Sequence, residues 1–332
     1  MLAKAVRFAT VRGVDIVQVD IRPPQEGEIL VRTHFSGISA GTELLAYRGQ
    51  LPSTLALDEE LGSLMGEFTY PFHYGYSCVG RIEESKSDLR AGALVFAFHP
   101  HQELFVAAAS DVVPLDRVDP RIATLYPHLE TALQVSLDAG PVRHEPVVVM
   151  GLGAVGILIG ALLRRAGANV IGAEPSSWRR LVGDGFGIAS VEPADVEDVV
   201  KEMTEGRGVP LVVEASGNPR ALHDALALLS HEGTALIVSW YGAEPVSLPL
   251  GGDFHRRRLC IRSTQVSSIP SDLSGRWTVD RRRSVAASLF DELPLGSLAT
   301  HEFAVEDAAA AFEALDRGDS GLVHAALRYR PR

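Results

Sequence analysis

The segment from Val147 to Leu163 is apolar for about 17 residues, close to the length that spans a bilayer, yet Gly151, Gly153, Gly156 and Gly160 interrupt it. The glycines exclude a simple membrane span and predict a buried strand over Val147–Met150, a tight turn, and a buried helix over Val155–Ala166. Gly151-Leu152-Gly153-Ala154-Val155-Gly156 is a GxGxxG motif, weak alone but informative after a strand and at the start of a helix. Gly151 can make the turn, Gly153 can admit a pyrophosphate to the backbone, and Gly156 lets helix and strand pack closely. Ala154 and Val155 then lie at the helix N-terminus, which favours the negative phosphates of a dinucleotide. A flavin can use such a turn, but here the motif follows a complete β-rich region rather than opening the chain.

That preceding region, up to about Val113, reads as short alternating runs broken by glycine and proline: Ala3–Phe8, Val14–Val19, Glu28–His34, Cys78–Glu83, Leu94–Phe98 and Glu103–Ala107. Between Ile122 and Ala139 the apolar residues move to helical spacing. Strands at Val147–Met150, Asn169–Ala173, Leu211–Ala215, Ala235–Trp240 and Cys260–Ser263 then alternate with helices at Val155–Ala166, Ser177–Phe186, Val196–Glu205 and Asn218–Leu229, with a short turn near Asp253–Arg257. Such alternation predicts a parallel, doubly wound sheet in an α/β fold. After Arg276 the reading continues with a helix at Arg281–Leu289, a strand around His301–Phe303, a helix at Val305–Arg317 and a last strand at His324–Tyr329. No internal repeat is present.

Composition narrows the class. With 332 residues, 46% hydrophobic and 22% charged, the chain can build two globular cores. Its net charge of -11, without a long basic run, disfavours nucleic acid and anionic membrane surfaces as partners. Cys78 and Cys260 cannot form a multi-bridge framework or a four-thiolate zinc site, and they fit a reducing, cytoplasmic setting. The N-terminus alternates apolar and polar residues and lacks the apolar core of a signal peptide.

Glu174 ends the strand after the glycine motif, near the spacing of about 20 residues at which a carboxylate accepts hydrogen bonds from the adenine ribose. It favours NAD(H), because a carboxylate repels a 2′-phosphate. Ser176, Arg179 and Arg180 keep NADP(H) possible, since they can hold that phosphate if Glu174 turns outward. Ser239, Trp240 and Tyr241 end another strand at its carboxyl side, where open α/β sheets bind ligands, and either aromatic ring can cover a nicotinamide.

A β-rich N-terminal half, a central dinucleotide fold and a short return segment together resemble the medium-chain dehydrogenase/reductase superfamily over nearly the whole chain. The segment Ser36-Gly37-Ile38-Ser39-Ala40-Gly41-Thr42-Glu43 is similar to its cysteine-containing loop, and Gly75-Tyr76-Ser77-Cys78-Val79-Gly80 to its Gly-His-Glu segment. Val213-Glu214-Ala215-Ser216-Gly217 resembles the strand end beside the cofactor. The resemblance implies a GroES-like catalytic domain over residues 1–125, a Rossmann domain over 126–266 and a return over 267–332 that completes the first. It also implies a homodimer formed through the coenzyme domains.

The departures from the family pattern shape the chemistry. Where the family binds catalytic zinc through cysteine, histidine and glutamate, this chain has Ser39, Tyr76 and Ser77, and the lobe with four cysteines is missing; neutral hydroxyls are poor zinc ligands, so no metal is expected. His99-Pro100-His101-Gln102 and the string Leu248–Arg258 resemble a bacterial branch of alcohol dehydrogenases.

Hydride transfer at a nicotinamide needs a group that stabilises or protonates the charge left behind. The resemblance puts Tyr76 at the vacated ligand position, where its phenol can donate. Glu130 matches a glutamate near the metal in polyol-dehydrogenase-like relatives, and an apolar cleft there would raise its pKa. His101 is expected to line the cleft and relay protons to solvent. Ser39 and Thr42 match positions that bond substrate or nicotinamide ribose in relatives. Tyr47, His255 and Arg257 complete the expected substrate contacts, the last two within His255-Arg256-Arg257-Arg258, a run able to grip an anionic group. The substrate expected is a small organic molecule, either an alcohol/carbonyl pair or a conjugated enone, with a redox sensor without turnover as the alternative.

Overall fold

The computed structural model describes residues 1–115 and 117–330. The chain forms two compact units: one contains Met1–Pro127 and Leu295–Arg332, the other His128–Pro294.

The first unit begins with β1 (Leu2–Thr10) and β2 (Gly13–Asp20), an antiparallel pair, followed by β3 (Glu28–Ile38) and helix α1 (Thr42–Arg48). β4 (Cys78–Ser85), β5 (Leu94–Ala97), β6 (Leu104–Ala108) and β7 (Val112–Pro114) come next. Then come α2 (Pro120–Ala123) and α3 (Tyr126–Asp138), within which the chain passes into the second unit. α1 is the main element that the strand pattern missed; the glycines that bracket it, Gly41 and Gly49, gave that stretch the look of a loop. Gly49 closes the helix at φ 68°, in the left-handed region.

The second unit alternates strand and helix: β8 (Pro146–Met150), α4 (Ala154–Arg165), β9 (Asn169–Ala173), α5 (Ser177–Gly185), β10 (Ala189–Val191), α6 (Val196–Thr204), β11 (Val209–Glu214), α7 (Pro219–Leu228), β12 (Leu229–Ile237) and β13 (Cys260–Ser263); the sequence predicts the alternation but not the short β10, and β12 starts earlier than the expected Ala235. All pairings are parallel, and the order is β10-β9-β8-β11-β12-β13. Succession therefore runs one way from β8 and the other way from β11, the doubly wound arrangement with its switch point between those two strands. Val147, Val148 and Val149 of β8 are fully buried, as a central parallel strand covered on both faces requires. α4 is buried around most of its circumference, which explains its membrane-like composition.

α8 (Val279–Ser288) follows, then β14 (His301–Ala304), α9 (Ala308–Arg317) and β15 (Ala325–Arg328). The last two strands extend the first unit's sheet to β14-β15-β3-β4-β5-β7, with β6 also on β3. Phe8, Tyr47, Phe72 and Phe312 meet in the core beside that sheet.

The units divide at Pro127/His128 and at Pro294/Leu295, where the sequence reading placed the divisions at 125/126 and 266/267. The later return has a physical cause. Arg282 of α8 is 1% exposed; its guanidinium donates to Glu130 Oε1 (2.9 and 3.2 Å), Gln134 Oε1 (2.6 Å) and the Val266 carbonyl (2.6 Å), tying α8 to α3 inside the second unit.

Removing one partner of such a buried pair leaves an uncompensated charge, so Arg282→Ala should lower stability by about 3–5 kcal/mol in urea unfolding. The combined Arg282→Met/Glu130→Leu replacement should recover most of that loss, because no charge then remains buried.

Burial also pushes the His128 imidazole down to about 4, and it pushes His99, stacked on Phe105 at 4.0 Å, down to about 4. An unfolded imidazole titrates at 6.5, so between that value and about 4 the unfolded chain holds protons the folded chain lacks. Stability should be full above that window, fall as pH drops through it and level off below; His128→Gln should remove about one proton from the measured slope.

Candidate active site

The second unit carries a cradle at its switch point. Gly151 follows β8 with φ 93°, and a Cβ there would lie 2.6 Å from Ser216 Cα, so the turn and the close approach both require glycine. A Cβ on Gly156 would lie 1.9 Å from the Gly151 carbonyl oxygen, which is the tight helix-to-strand packing expected of that position. Gly153, the N-cap of α4, has nothing within 4 Å of its would-be Cβ, so the backbone is open to a ligand there. The first amides of α4, at Ala154, Val155 and Gly156, have no partner within the helix and suit a pyrophosphate. The residues present therefore fit a dinucleotide.

Glu174, just beyond β9, is 3% exposed and turned inward. Its Oε2 accepts from the Leu152 amide (2.8 Å) and its Oε1 from the Ser176 amide (3.0 Å), so it braces the glycine turn. Arg180 donates to the carbonyls of Glu174 (2.7 Å) and Pro175 (3.0 Å) and pairs with Glu192 at 3.0 Å. Arg179, in the first turn of α5, is partly exposed.

Ser216 and the Ser239-Trp240-Tyr241 segment lie beyond the ends of β11 and β12, on the carboxyl edge of the sheet. Ser239 Oγ accepts from the Gly217 amide (2.8 Å), Trp240 is 44% exposed, and the Tyr241 hydroxyl donates to the buried Glu214 carboxylate. Burial and that carboxylate raise the Tyr241 pKa.

The first unit brings together Ser39, Thr42 and Tyr76. The hydroxyls of Ser39 and Thr42 lie near the Tyr76 phenol, while burial and the nearby Glu43 charge push its pKa up to about 12. It is therefore a neutral donor at ordinary pH. Gly75, at φ 110°, lets the chain pass His101 closely: a Cβ there would sit 2.6 Å from the ring.

Several expected site residues have other surroundings. His101 is fully buried, with Nε2 on Glu43 Oε2 and Nδ1 on Ser36 Oγ, both at 2.7 Å, so it does not reach solvent as a relay would. The apolar cleft expected around Glu130 is absent, since Arg282 and Arg283 face its carboxylate. Tyr47 is a core residue, 3% exposed and stacked on Phe312 at 5.5 Å. The arginine run is spent locally: Arg257 pairs with Asp253 (3.2 Å) and donates to the Leu229 carbonyl (3.1 Å), and Arg258 pairs with Glu232 (3.1 Å). His255 is exposed beside them.

Sequence reasoning missed the chain Glu43–His101–Ser36–Tyr329, closed by a 3.0 Å contact between Ser36 Oγ and the Tyr329 hydroxyl. It also assigned no role to Glu214 or Arg282. Ser36 and Glu43 lie in a quoted motif, but only the fold brings Tyr329 to Ser36 across 293 residues.

The family positions for zinc do not fit a metal here. Ser77 Oγ donates to the Thr124 carbonyl at 2.8 Å, Tyr76 is held as the neutral phenol, and Ser39 offers only a hydroxyl. Among the described residues no three His, Cys, Asp or Glu side chains converge as a ligand group.

Residues 154–278 match the family model described as zinc-binding dehydrogenase. The D-guloside 3-dehydrogenase of Escherichia coli K12 is 27% identical over 305 residues, 85% of each chain. The L-threonine 3-dehydrogenase of Pyrococcus horikoshii is 29% identical over 258 residues, 69% of this chain and 73% of that one. Among solved structures, an oxidoreductase/dehydrogenase of unknown specificity from Escherichia coli superposes with TM-score 0.81 at 16% identity over 100% of both chains. A short chain alcohol dehydrogenase of E. coli CFT073 complexed with NADH gives 0.78 at 17% identity over 99% of both. A zinc-binding dehydrogenase of Sinorhizobium meliloti 1021 bound to NADP gives 0.77 at 20%, over 99% of this chain and 100% of that one. Residues 154–278 thus carry the match to zinc-binding dehydrogenases, and the whole chain shares its fold with these solved dehydrogenase structures.

Proposed function

We propose that the protein is a nicotinamide-dependent oxidoreductase that works without zinc, interconverting a small alcohol and its carbonyl compound or reducing an enone. The observation that carries the reading is the open backbone at Gly153 between two glycines that tolerate no side chain. The bound nicotinamide supplies or accepts the hydride. The chain's own residues bind the pyrophosphate at the start of α4 and hold a proton at the Tyr76 hydroxyl, near Ser39 and Thr42.

NAD(H) is favoured over NADP(H). Glu174 puts negative charge beside the glycine turn, and Arg180 already serves two carbonyls and Glu192. The two chemistries divide on how the oxygen charge is stabilised. An enone delocalises charge onto its oxygen, so a neutral phenol suffices, whereas an alcohol must lose its proton without a Lewis acid. The relatives named for sugar and amino-acid substrates favour the alcohol. A cytoplasmic homodimer completes the proposal; β13 lies at an edge of the parallel sheet, where a second copy can add strands.

Calorimetric titration with NADH and NADPH, with metal analysis of protein purified without added zinc, tests this reading. Saturable binding, tighter for NADH, with no stoichiometric metal is expected. Failure of a folded sample to bind either dinucleotide removes the functional reading, and one tightly held zinc per chain removes the metal-free part.

Tyr76→Phe should leave NADH binding unchanged and lower kcat by about 10²–10⁴-fold, the usual worth of a positioned acid or base. Because the phenol keeps its proton up to about 12, turnover in the reducing direction should show no loss from its ionisation at lower pH. Unchanged turnover in the Phe variant would exclude Tyr76 as the donor.

A further inference from the structure

Glu214 ends β11 and is completely buried, yet it lies outside every role assigned so far. Its Oε1 accepts from the Ser216 amide at 2.7 Å and from the Ser216 hydroxyl, and its Oε2 accepts from the Tyr241 hydroxyl. Its main-chain carbonyl takes the amides of Val238 (2.9 Å) and Ser239 (3.2 Å). Ser239 reaches back through Oγ to the Gly217 amide at 2.8 Å. One carboxylate thus joins the turn after β11 to the segment after β12, and the joined turn is the one whose Ser216 Cα limits Gly151.

Between the two anchored residues, Ser239 and Tyr241, Trp240 is left 44% exposed. Aromatic rings are costly to expose, and a ring on a free loop loses rotamer and backbone entropy when a ligand orders it. Fixing the residues on both sides before binding avoids most of that loss. The anchors lie at the carboxyl ends of β11 and β12, the edge at which a doubly wound sheet takes its ligand.

We propose that Glu214 is a positioning residue for the dinucleotide: its buried carboxylate latches Tyr241 to Ser216, so that Trp240 presents a preordered aromatic face to the cofactor. The inference rests on the dinucleotide reading above and deepens it. Glu214 touches neither cofactor nor substrate in this role; it acts through Tyr241 and Trp240.

The test uses the full chain in a Trp178→Phe/Trp277→Phe background, which leaves Trp240 as the only tryptophan. Tyr241→Phe removes one hydrogen bond to the carboxylate from a half-buried ring and should fold; Glu214→Gln weakens both arms. In the free protein each variant should lower the fluorescence anisotropy of Trp240. Each should also weaken NADH binding, by about threefold to tenfold for Tyr241→Phe, a fraction of what a hydrogen bond to a charged group is worth. Energy transfer from Trp240 to bound dihydronicotinamide should fall in parallel. Wild-type anisotropy and wild-type NADH affinity in folded Tyr241→Phe would overturn the latch, and that variant decides the matter if Glu214→Gln does not fold. Should the unsubstituted chain bind neither NADH nor NADPH, the functional reading falls and the latch with it; binding with no effect of the variants removes the latch alone.

Discussion

The second unit depends on one contact in which a side chain is forbidden. Between the Gly151 carbonyl and the position that a Cβ on residue 156 would take there is only 1.9 Å, and a Cβ on Gly151 would lie 2.6 Å from Ser216 Cα. Those two approaches bring the start of α4, the end of β8 and the turn after β11 to a common point. A sheet that changes winding direction there leaves a crevice, and the same glycines that let the elements meet keep its floor at the level of the backbone. Fold and ligand chemistry thus share one constraint: the cradle is open at Gly153 because its neighbours are closed at Gly151 and Gly156.

This constraint was legible in the sequence, and so was most of the strand and helix alternation around it. Most strands and helices of the doubly wound sheet fall within a few residues of the expected positions, because buried strands and amphipathic helices announce themselves locally; the exceptions are β10, three residues long and too short to show a period, and the early start of β12 at Leu229. The glycines at 151, 153 and 156 also meet the steric demands expected of each. Long-range polar pairing was not legible. Glu130 looked like an isolated carboxyl near the start of a helix, and nothing in its neighbourhood names Arg282, 152 residues on. The same pairing keeps α8 in the second unit and moves the return of the chain to Leu295. His101 and Tyr47 failed for a related reason: a histidine or tyrosine in a β-rich unit reads alike whether it faces a ligand or a core, and its partners Glu43, Ser36 and Phe312 are chosen by the fold.

Hydroxyl-bearing residues stand where the resemblance implies zinc ligands, and they set the electrostatics of the first unit. A thiolate, an imidazole and a carboxylate at the family positions would gather around a cation. Ser39 and Tyr76 lie near one another instead, Ser77 turns to the Thr124 carbonyl, and the phenol is held neutral by burial and by the Glu43 carboxylate. Glu43 is itself occupied, since its two oxygens take the Ser39 amide and His101. The carboxylate therefore acts on Tyr76 as a fixed negative field, which opposes release of the phenolic proton.

Among the described residues four glutamates are buried, Glu43, Glu130, Glu174 and Glu214, and such carboxyls are ordinarily the first candidates for acid or base chemistry. Each is committed to donors from its own unit: an amide and an imidazole, a guanidinium, two turn amides, or a serine and a tyrosine. Buried charge of this kind is tolerated only where donors meet it, and a group that has met its donors is poorly placed to exchange protons with a substrate. The distinction that matters is thus not burial but commitment. By that criterion the carboxylates are the frame, and the chemistry is left to groups the frame positions: the open amides around Gly153, the exposed ring of Trp240 and the neutral hydroxyl of Tyr76.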